Sequence, residues 1–336
     1  MKKKVYLISW YFPSFPGGAE KSILEELKNY KSKNFDTYVI SFDEKFKFGK
    51  FEIKGIKGYN YRLKYLFNFS RYYTYLFNKN HIFKILSKYK FNSTDLILVQ
   101  GIFTPYVSKF CIKNKLTYNY YIRDENNLNE FNNYWVGFKK YLKYLKDLID
   151  FIPLNNYMLQ NKLALLNANK IISNSKFIAN LLLKKFNLNS KIILPEIDLC
   201  EFEKVKLNKS GQKYITFIGG HNAMKGYDIV LKIAKQLPNY KFLIIGNYPK
   251  KYVIGNITYL PWQKHILEVY KKSKLILVPS RWKEAYGRVV MEANCLNIPV
   301  ISSGQGGLVE ANEFGEIIYD FENVETWIEK IKVKAK

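Results

Sequence analysis

The sequence predicts an α/β protein built from two doubly wound domains, each a mainly parallel sheet covered by helices. Its length is the first observation, because 336 residues at 39.8 kDa exceed one ordinary core and suit two domains of roughly 150 residues. The second is the order of patterns, since short apolar runs of strand length alternate with segments of helical periodicity. Apolar residues make up 48% and charged residues 24%, which is a globular balance.

The first half of the chain opens with a strand, a helix and a second strand. Residues 5–10 are an apolar run of strand length, and residues 20–31 repeat isoleucine and leucine on one face at helical spacing. Residues 37–42 then return as a strand. Further strands are predicted at 96–100, 118–123 and 170–173, with a helix at 177–186.

A linker is predicted between two halves of similar design. Residues 191–213 hold Pro195 and several polar and charged residues, so the predicted domains are 1–200 and 201–336. In the second half, strands are predicted at 214–218, 241–246, 257–260, 274–278 and 298–302, and helices at 226–236, 264–272, 287–296 and 322–334. Ligands of doubly wound sheets bind beyond the carboxyl ends of the strands, so site residues are expected in the loops that follow strands.

Cysteine usage and hydropathy exclude several classes of protein. The three cysteines lie far apart and form no C-x-x-C pair, which argues against a disulfide framework or a zinc knuckle and favours a reducing compartment. No window approaches the roughly 18 uninterrupted apolar residues of a membrane span. The apolar N-terminal run is cut by prolines and lacks a small-residue cleavage site, so a soluble or peripheral protein is expected.

The positive charge is large and unevenly placed. The chain has 54 basic and 28 acidic residues, a net charge of +26, and residues 45–94 hold twelve basic residues against the single acid Glu52, with fifteen Phe or Tyr interleaved. Codon bias, an anionic membrane face and RNA or single-stranded DNA are all compatible with this composition. For residues 59–83, helical patterning favours a helical core with snorkelling lysines over a base-stacking platform.

Two glycine loops follow predicted strands. Gly17 and Gly18 stand before the first helix, where backbone N–H groups could meet an anion, and the loop 219–226 places Lys225 beside Gly219 and Gly220. Neither loop has the spacing of a dinucleotide-binding or Walker motif. Taken alone, each also fits an ordinary tight turn.

The most informative constellation is the segment 279–293. Glu284 and Glu292 lie eight positions apart, and Gly287 is placed to open the helix between them. A carboxylate accepts hydrogen bonds from vicinal hydroxyls, and free N–H groups at a helix start suit phosphates. Together these groups predict a site that binds a sugar, a ribose and a diphosphate. The alternative interpretation is that both glutamates are solvated surface residues. The apolar run 289–293 around Glu292 argues against it.

Over most of its length the chain resembles the family 4 retaining glycosyltransferases of the GT-B fold. The resemblance includes the family's E-x7-E motif at Glu284 and Glu292, its PS-x-x-E-x-Y-G lead-in at 279–287 and its phosphate-loop Lys225-Gly226. Further matches are Gly17-Gly18, Ser173 to Ser175, Pro195 with Asp198, Ile298 to Ile301 and Gly306 to Glu310.

This resemblance implies two Rossmann-like domains facing a central cleft, with an acceptor-side first domain and a donor-binding second domain. Glu292 would bind the ribose, Glu284 the transferring sugar and Lys225 the diphosphate, while Arg123 and Asp124 occupy the place of the family's His-Asp pair. The implied catalytic residues are Glu284, Lys225, Asp124 and Arg123. The implied donor-binding residues are Gly17, Gly18, Gly219, Gly220, His221, Lys225, Pro261, Trp262, Glu284, Ala285, Tyr286, Gly287, Arg288, Val289 and Glu292.

The same resemblance implies the reaction and its setting. The expected enzyme transfers a hexose-like sugar with retention from a nucleotide sugar, UDP- or GDP-linked, to a glycan or lipid-linked glycan in polysaccharide or lipopolysaccharide biosynthesis. No cofactor and no metal are expected, since no D-x-D motif is present. The expected location is cytoplasmic, peripheral at the inner face of the membrane, with an anionic membrane surface as a partner and no nucleic acid.

The sequence also departs from the family pattern. The arginine usual five or six residues before the phosphate-loop lysine is replaced by Gly219 and Gly220, and Arg281 or Arg288 is the expected substitute. Arg123 stands where the family has histidine, and arginine stays protonated, so it is no general base. Asn297 replaces a glycine, and the final crossover helix is expected to be lacking.

Two other classes therefore stay open. One is a catalytically degenerate GT-B subunit that serves an active partner enzyme, and the other is a basic nucleic-acid-binding protein. The first predicts no transfer and no donor hydrolysis. The second predicts steeply salt-dependent RNA binding that survives substitution of Glu284 and Glu292.

Overall fold

The structure is a computed structural model of the 336-residue chain. It describes residues 3–10, 12, 18–64, 70–124, 128, 139–195, 211–263 and 265–335. The chain divides into two compact units, Met1–Glu196 and Ile197–Lys336, called unit 1 and unit 2 below. The domain boundary predicted at residue 200 lies outside the described residues. Within the described part, no helix is both long and apolar enough to cross a membrane.

Unit 1 contains an eight-stranded sheet in the order β3-β4-β2-β1-β5-β6-β7-β8. The strands are β1 (Lys4–Ser9), β2 (Asp36–Ser41), β3 (Gly49–Ile53), β4 (Ile56–Asn60), β5 (Leu96–Gln100), β6 (Tyr118–Ile122), β7 (Lys170–Ser173) and β8 (Lys191–Ile192). Every pair is parallel except the β3–β4 hairpin. This hairpin was not predicted; its turn residues Lys54 and Gly55 both have positive φ, at 48° and 75°.

The described helices of unit 1 are α1 (Gly18–Ser32), α2 (Arg71–Phe77), α3 (Lys79–Leu86), α4 (Thr104–Lys113), α5 (Lys139–Leu166) and α6 (Lys176–Phe186). Part of the basic aromatic segment is core, as predicted for residues 59–83. Tyr75 is fully buried and stacks on Tyr106 of α4, with ring centroids 4.2 Å apart and planes 3° from parallel. Tyr157 of α5 meets the Tyr75 ring edge-on at 5.3 Å, so aromatic contacts join α2, α4 and α5.

Unit 2 contains a seven-stranded sheet in the order β11-β12-β10-β9-β13-β14-β15. Its strands are β9 (Tyr214–Ile218), β10 (Lys241–Gly246), β11 (Tyr252–Ile254), β12 (Ile257–Pro261), β13 (Ser273–Val278), β14 (Val300–Ser303) and β15 (Glu316–Ile318). Only β11 runs antiparallel to its neighbour. The chain leaves β9 toward β10 on one side and returns on the other side as β13, so the switch point of the sheet lies between β9 and β13.

Helices complete the doubly wound arrangement of unit 2. They are α7 (Tyr227–Gln236), α8 (Leu267–Tyr270), α9 (Arg288–Cys295), α10 (Leu308–Ala311) and α11 (Val324–Lys334). The predicted α/β class and its two doubly wound units are confirmed. The helix predicted at 264–272 is shorter, because the chain enters β13 at Ser273 and only four residues remain helical.

Two local features explain sequence motifs by structure. Ser175 ends the Ser-Asn-Ser motif and caps α6, its side-chain oxygen accepting a hydrogen bond from the N–H of Ile178 at 3.0 Å. Asn297, which stands where the family has glycine, adopts a left-handed backbone with φ 54°. Asparagine tolerates that conformation better than other side chains, so this departure preserves the turn.

The packing predicts a large loss of stability for Trp327→Ala. Trp327 is completely buried in the core of unit 2, and its indole N–H donates to the Phe321 carbonyl at 2.9 Å. Truncation should cost about 3–5 kcal/mol in the free energy of unfolding, measured by urea titration. Val333→Ala, at a 66% exposed position of the same helix, is the control and should cost much less. Equal losses for both variants would contradict this packing.

Candidate functional site

The loops that follow β9 and β13 are joined by backbone hydrogen bonds at the switch point of unit 2. The carbonyl of Met224 in the first loop accepts hydrogen bonds from the N–H groups of Arg281 and Trp282 in the second, at 2.9 and 3.1 Å. Gly226 has φ 83°, and a Cβ there would lie 2.0 Å from the carbonyl oxygen of Pro279. Glycine at 226 is therefore required both by backbone angle and by the close approach of the two loops.

A lysine and a glutamate meet where these loops touch. Lys225 ends a short 3-10 turn capped by Asn222, and its Nζ donates a hydrogen bond to Oε1 of Glu284. The same carboxylate oxygen accepts from the Ser280 hydroxyl at 3.0 Å. The side chains of Lys225 and Glu284 are 38% and 18% exposed, so the ion pair is held by the protein and still reachable by a ligand.

The backbone of Glu284 is braced by a third loop. Glu284 forms a parallel bridge with Gly306, and the N–H of Gly307 donates to the Glu284 carbonyl at 2.7 Å. Gly306 has φ 62°, and a Cβ there would stand 2.5 Å from the carbonyl oxygen of Glu284. The motif at 306–310 thus has a structural role, which is to hold the Glu284 loop in place.

Glu292 is buried, not a solvated helix residue. It is 4% exposed, and its two carboxylate oxygens accept hydrogen bonds from Nε of Arg288 at 2.7 Å and from the hydroxyl of Tyr270 at 2.8 Å. Burial and the Glu292 carboxylate raise the pKa of Tyr270 well above its usual value, so the phenol stays a proton donor at neutral pH. Sequence reasoning missed Tyr270, which carries no motif.

The start of α9 lies beside these groups. Gly287, with φ 131°, precedes the helix, and a Cβ there would come within 2.8 Å of Leu308 and 3.3 Å of Ala311 on α10. No side chain caps the N-terminal N–H groups of α9 in the part of the chain that the structure describes. Ala285 and Tyr286 lie in the loop before the helix, and Arg288 and Val289 form its first turn.

The glycines after β9 extend the hydrogen bonding between β9 and β10. The N–H groups of Gly219 and Gly220 both donate to the carbonyl of Ile245 on β10, at 3.1 and 2.8 Å. A Cβ on Gly246 would lie 2.3 Å from the Cα of Gly220, so the ends of β9 and β10 approach too closely for side chains. His221 follows and packs its ring against Tyr227 and Tyr248, with centroids 4.8 and 4.9 Å away.

Pro261 and Trp262, two of the implied donor-binding residues, lie at the end of β12, where the resemblance to the family implies the nucleotide base. Tyr259 on β12 is 3% exposed and stacks on Tyr252, with centroids 4.5 Å apart and planes 11° from parallel. Pro261 ends the strand, and Trp262 just beyond it is 49% exposed. The Trp262 indole is therefore partly open to solvent.

Arg281 is fully engaged within the protein. Its guanidinium binds Asp228 through two hydrogen bonds of 2.6 and 2.8 Å and Glu322 through two of 2.5 and 2.8 Å. A further N–H donates to the Ala223 carbonyl at 2.7 Å, and the side chain is 2% exposed. Although burial alone would raise the pKa of Asp228, the Arg281 hydrogen bonds hold it below its usual value. The expectation that Arg281 substitutes for the absent arginine does not fit this geometry.

The predicted residues of unit 1 have partners of their own. Arg123 follows β6 and donates to Oε2 of Glu26 on α1 at 2.5 Å, while the other oxygen of Glu26 accepts from the Tyr121 hydroxyl. Asp124 lies near Arg71 and contributes to a raised pKa of that guanidinium against the opposing effect of burial. Gly17 lies outside the described residues. Gly18 is the first residue of α1.

Among the described residues, no group of three or more His, Cys, Asp or Glu side chains is placed to hold a metal ion. Glu284 and Glu292 are each engaged by a cation. Metal-independent chemistry remains a prediction.

The chain is similar in sequence to known glycosyltransferases over part of its length. Residues 200–333 match the family model of the glycosyl transferases group 1. Spore coat protein SA of Bacillus subtilis is 29% identical over 151 residues, which is 38% of this chain and 40% of that protein. The D-inositol 3-phosphate glycosyltransferase of Mycolicibacterium smegmatis is 26% identical over 194 residues, 49% of this chain and 44% of that one. The chain thus spans about two fifths of the length of the curated relatives it matches.

Solved structures match the whole fold at low sequence identity. Sucrose-phosphate synthase from Thermosynechococcus elongatus has a TM-score of 0.74 at 16% identity, covering 99% of this chain and 90% of that one. WaaG, a glycosyltransferase of lipopolysaccharide biosynthesis, has a TM-score of 0.69 at 17% identity, covering 99% and 90%. The protein therefore has the GT-B fold. The match to the glycosyl transferases group 1 lies within its second unit and agrees with the resemblance at that level, while family 4 remains a prediction.

The geometry predicts that Arg281 stabilises unit 2. Arg281→Ala should lower the free energy of unfolding by about 2–4 kcal/mol in urea titration, because two carboxylates and a carbonyl lose their shared donor. Lys330→Ala removes a surface ion pair with Glu316 and should cost about 1 kcal/mol or less. An Arg281→Ala variant with unchanged stability that no longer binds a nucleotide would instead make Arg281 a ligand-binding residue.

Proposed function

We propose that the protein is a retaining glycosyltransferase that moves a sugar from a nucleotide-sugar donor to a glycan or lipid-linked glycan acceptor. The observation that carries the proposal is the Lys225–Glu284 ion pair at the switch point of unit 2, with the buried Glu292 following it on α9. One cation for a diphosphate and two carboxylates for hydroxyl groups are the parts that a nucleotide sugar needs.

Relatives of the chain support the donor and the biological setting. HepE of Anabaena, which has a TM-score of 0.68 at 16% identity and covers 99% of this chain and 92% of its own, was solved in complex with UDP and glucose. An uncharacterized protein of the cps region of Klebsiella pneumoniae is 30% identical over 139 residues, 38% of this chain and 37% of that protein. A UDP- or GDP-linked sugar and a surface polysaccharide follow by analogy.

Lys225 and Glu284 would act by exchanging partners. A diphosphate carries more negative charge than one carboxylate, so its arrival draws Nζ of Lys225 away from Glu284. Glu284 keeps the Ser280 hydroxyl and gains free lone pairs for the hydroxyl groups of the transferring sugar. Lys225 then stabilises the charge that develops on the departing diphosphate.

Glu292 would bind the ribose through lone pairs that its present partners leave free. Each carboxylate oxygen has two acceptor sites, and the hydrogen bonds from Arg288 and Tyr270 described above use one on each oxygen. Those two donors also fix the orientation of the carboxylate. Arg288 places a second cation near the start of α9, where the phosphates of the donor would lie.

Retention needs no nucleophile from the protein when the leaving group departs from the face that the acceptor attacks. A phosphate oxygen then takes the acceptor proton, which agrees with Arg123 being a permanent cation and no base. In this proposal Arg123 and Asp124 contribute charge on the acceptor side, and the reaction uses neither a metal ion nor a cofactor. The enzyme acts in the cytoplasm, peripherally at the inner membrane face.

Nucleotide binding should depend on Glu292. In a thermal-shift panel of UDP, GDP, ADP and CMP, one nucleotide at 100 times its dissociation constant should add about 2.7 kcal/mol of stability. Glu292→Gln, which keeps the shape of the side chain, should lose most of this shift, while the exposed-site control Glu325→Gln keeps it. No shift from any nucleotide in folded protein would contradict the proposal and favour the degenerate GT-B subunit.

Sugar transfer should depend on Lys225. Lys225→Ala should lower kcat/KM at least about 100-fold, since a charge that stabilises the leaving group is removed. Lys232→Ala, an exposed lysine on α7, is the matched control and should leave the rate unchanged. The measurement is the release of nucleoside diphosphate in the presence of acceptor. A rate within twofold of the unsubstituted protein would remove Lys225 from the site.

A further inference from the structure

Helix α5 exposes a row of aliphatic side chains. Leu148 and Ile152 are each 75% exposed, Leu159 is 60%, Leu163 is 45% and Leu166 is 55%. At 100° per residue, these five positions fall within an arc of about 60° on the helix surface. They are called the α5 stripe.

The opposite side of α5 is buried and partly polar. Asp150, Tyr157 and Asn161 are at most 4% exposed, and the Tyr120 hydroxyl donates to Oδ1 of Asn161 at 2.6 Å. A surface helix of a water-soluble protein ordinarily turns its aliphatic side inward. Here the buried side faces unit 1, where Tyr120 holds Asn161, so the α5 stripe is not the packing surface of the helix.

The exposed apolar surface continues onto α2. The Tyr73 hydroxyl donates to the Ile149 carbonyl at 3.2 Å, which fixes α2 beside α5. One turn along, Phe77 is 43% exposed and stacks on the Tyr73 ring at 6.2 Å. Phe151 on α5 is 61% exposed. Apolar patches that extend over several side chains mark surfaces that meet another apolar phase.

Charge distinguishes this unit from the other. Residues 1–196 contain 33 basic and 14 acidic residues, a net charge of +19, whereas residues 197–336 carry 21 and 14, a net charge of +7. Lysines also lie on α4, which packs against α5, and on α3, which packs against α4. Burial lowers the pKa of Lys109 on α4, and the ammonium of Lys79 on α3 lowers it further, so two cations lie close together. Lys162 is exposed on α5 itself.

We propose that the α5 stripe docks unit 1 on an anionic lipid bilayer, with α5 lying in the plane of the interface. The aliphatic side chains would enter the boundary between headgroups and acyl chains, and the surrounding lysines would meet the anionic headgroups. The proposal names the surface through which the enzyme proposed above would reach a lipid-linked acceptor, and in that respect it rests on the proposed function.

The other occupants fit the surface less well. RNA or single-stranded DNA is held by aromatic stacking and phosphate contacts, and neither uses a row of leucine and isoleucine. A second copy of the chain would bring two units of charge +19 together, which repulsion disfavours. An anionic bilayer satisfies the charge and the apolar stripe at once.

The test is sedimentation of the full chain with lipid vesicles. Vesicles of phosphatidylcholine and phosphatidylglycerol at 3:1 should bind the protein, and pure phosphatidylcholine should bind it at least about tenfold more weakly. The triple variant Leu148→Ser, Ile152→Ser, Leu159→Ser should lose at least about tenfold in affinity for the anionic vesicles. The control triple Val253→Ser, Ile254→Ser, Phe314→Ser, at positions of unit 2 that are 59%, 62% and 94% exposed, should bind as the unsubstituted chain does.

Several results would overturn the proposal. They are absence of binding to anionic vesicles, equal binding by the α5 triple variant, and a dimer in solution that the α5 substitutions dissociate. RNA binding lost in the α5 variant would do the same. The nucleotide thermal shift, measured without vesicles, should be unchanged by the α5 substitutions, so failure of membrane docking and failure of the glycosyltransferase proposal are distinguishable.

Discussion

The candidate site depends on the contact between the loops that follow β9 and β13. Gly226 lets the first loop press against the carbonyl of Pro279, and Met224 accepts two backbone hydrogen bonds from the second loop. Arg281 reinforces the contact by joining Asp228 and Glu322 across it. Lys225 and Glu284 are more than fifty residues apart in sequence, and this contact brings them together. The same contact accounts for the burial of Arg281, which stabilises it.

The arginine usual in the resembling family is absent where β9 meets β10. The positions concerned are Gly219 and Gly220, whose N–H groups donate to the Ile245 carbonyl. A Cβ on Gly219 would meet the Phe217 ring at 2.5 Å, and a Cβ on Gly220 would lie 3.2 Å from the Cα of Gly246. In the function proposed above, charge for the diphosphate would come from Lys225 and Arg288, each of which is paired with a carboxylate. Such pairs keep cations ordered in the absence of ligand, at the cost that a ligand must compete with a carboxylate for the lysine.

Much of the fold and the centre of the site could be predicted from sequence because they follow from periodicity and short motifs. The apolar strands and the E-x7-E spacing of Glu284 and Glu292 are local signals. The β3–β4 hairpin was missed because its strands are only five residues long and its Lys54-Gly55 turn has no Asn-Gly or Asp-Gly pair. Tyr270 and Glu26 were missed because only the tertiary fold brings them to Glu292 and Arg123. The outward side of α5 could not be predicted either, since its periodicity fits a buried helix equally well.

The central claim is that the loop ending at Lys225 holds the diphosphate of a nucleotide sugar. A crystal structure of the protein grown with UDP tests it most directly, because it locates the phosphates and the lysine together. The account predicts that Nζ of Lys225 has left Glu284 and lies within about 3 Å of a phosphate oxygen, with a ribose hydroxyl on the carboxylate of Glu292. A Lys225–Glu284 pair that stays closed while UDP binds elsewhere would contradict it.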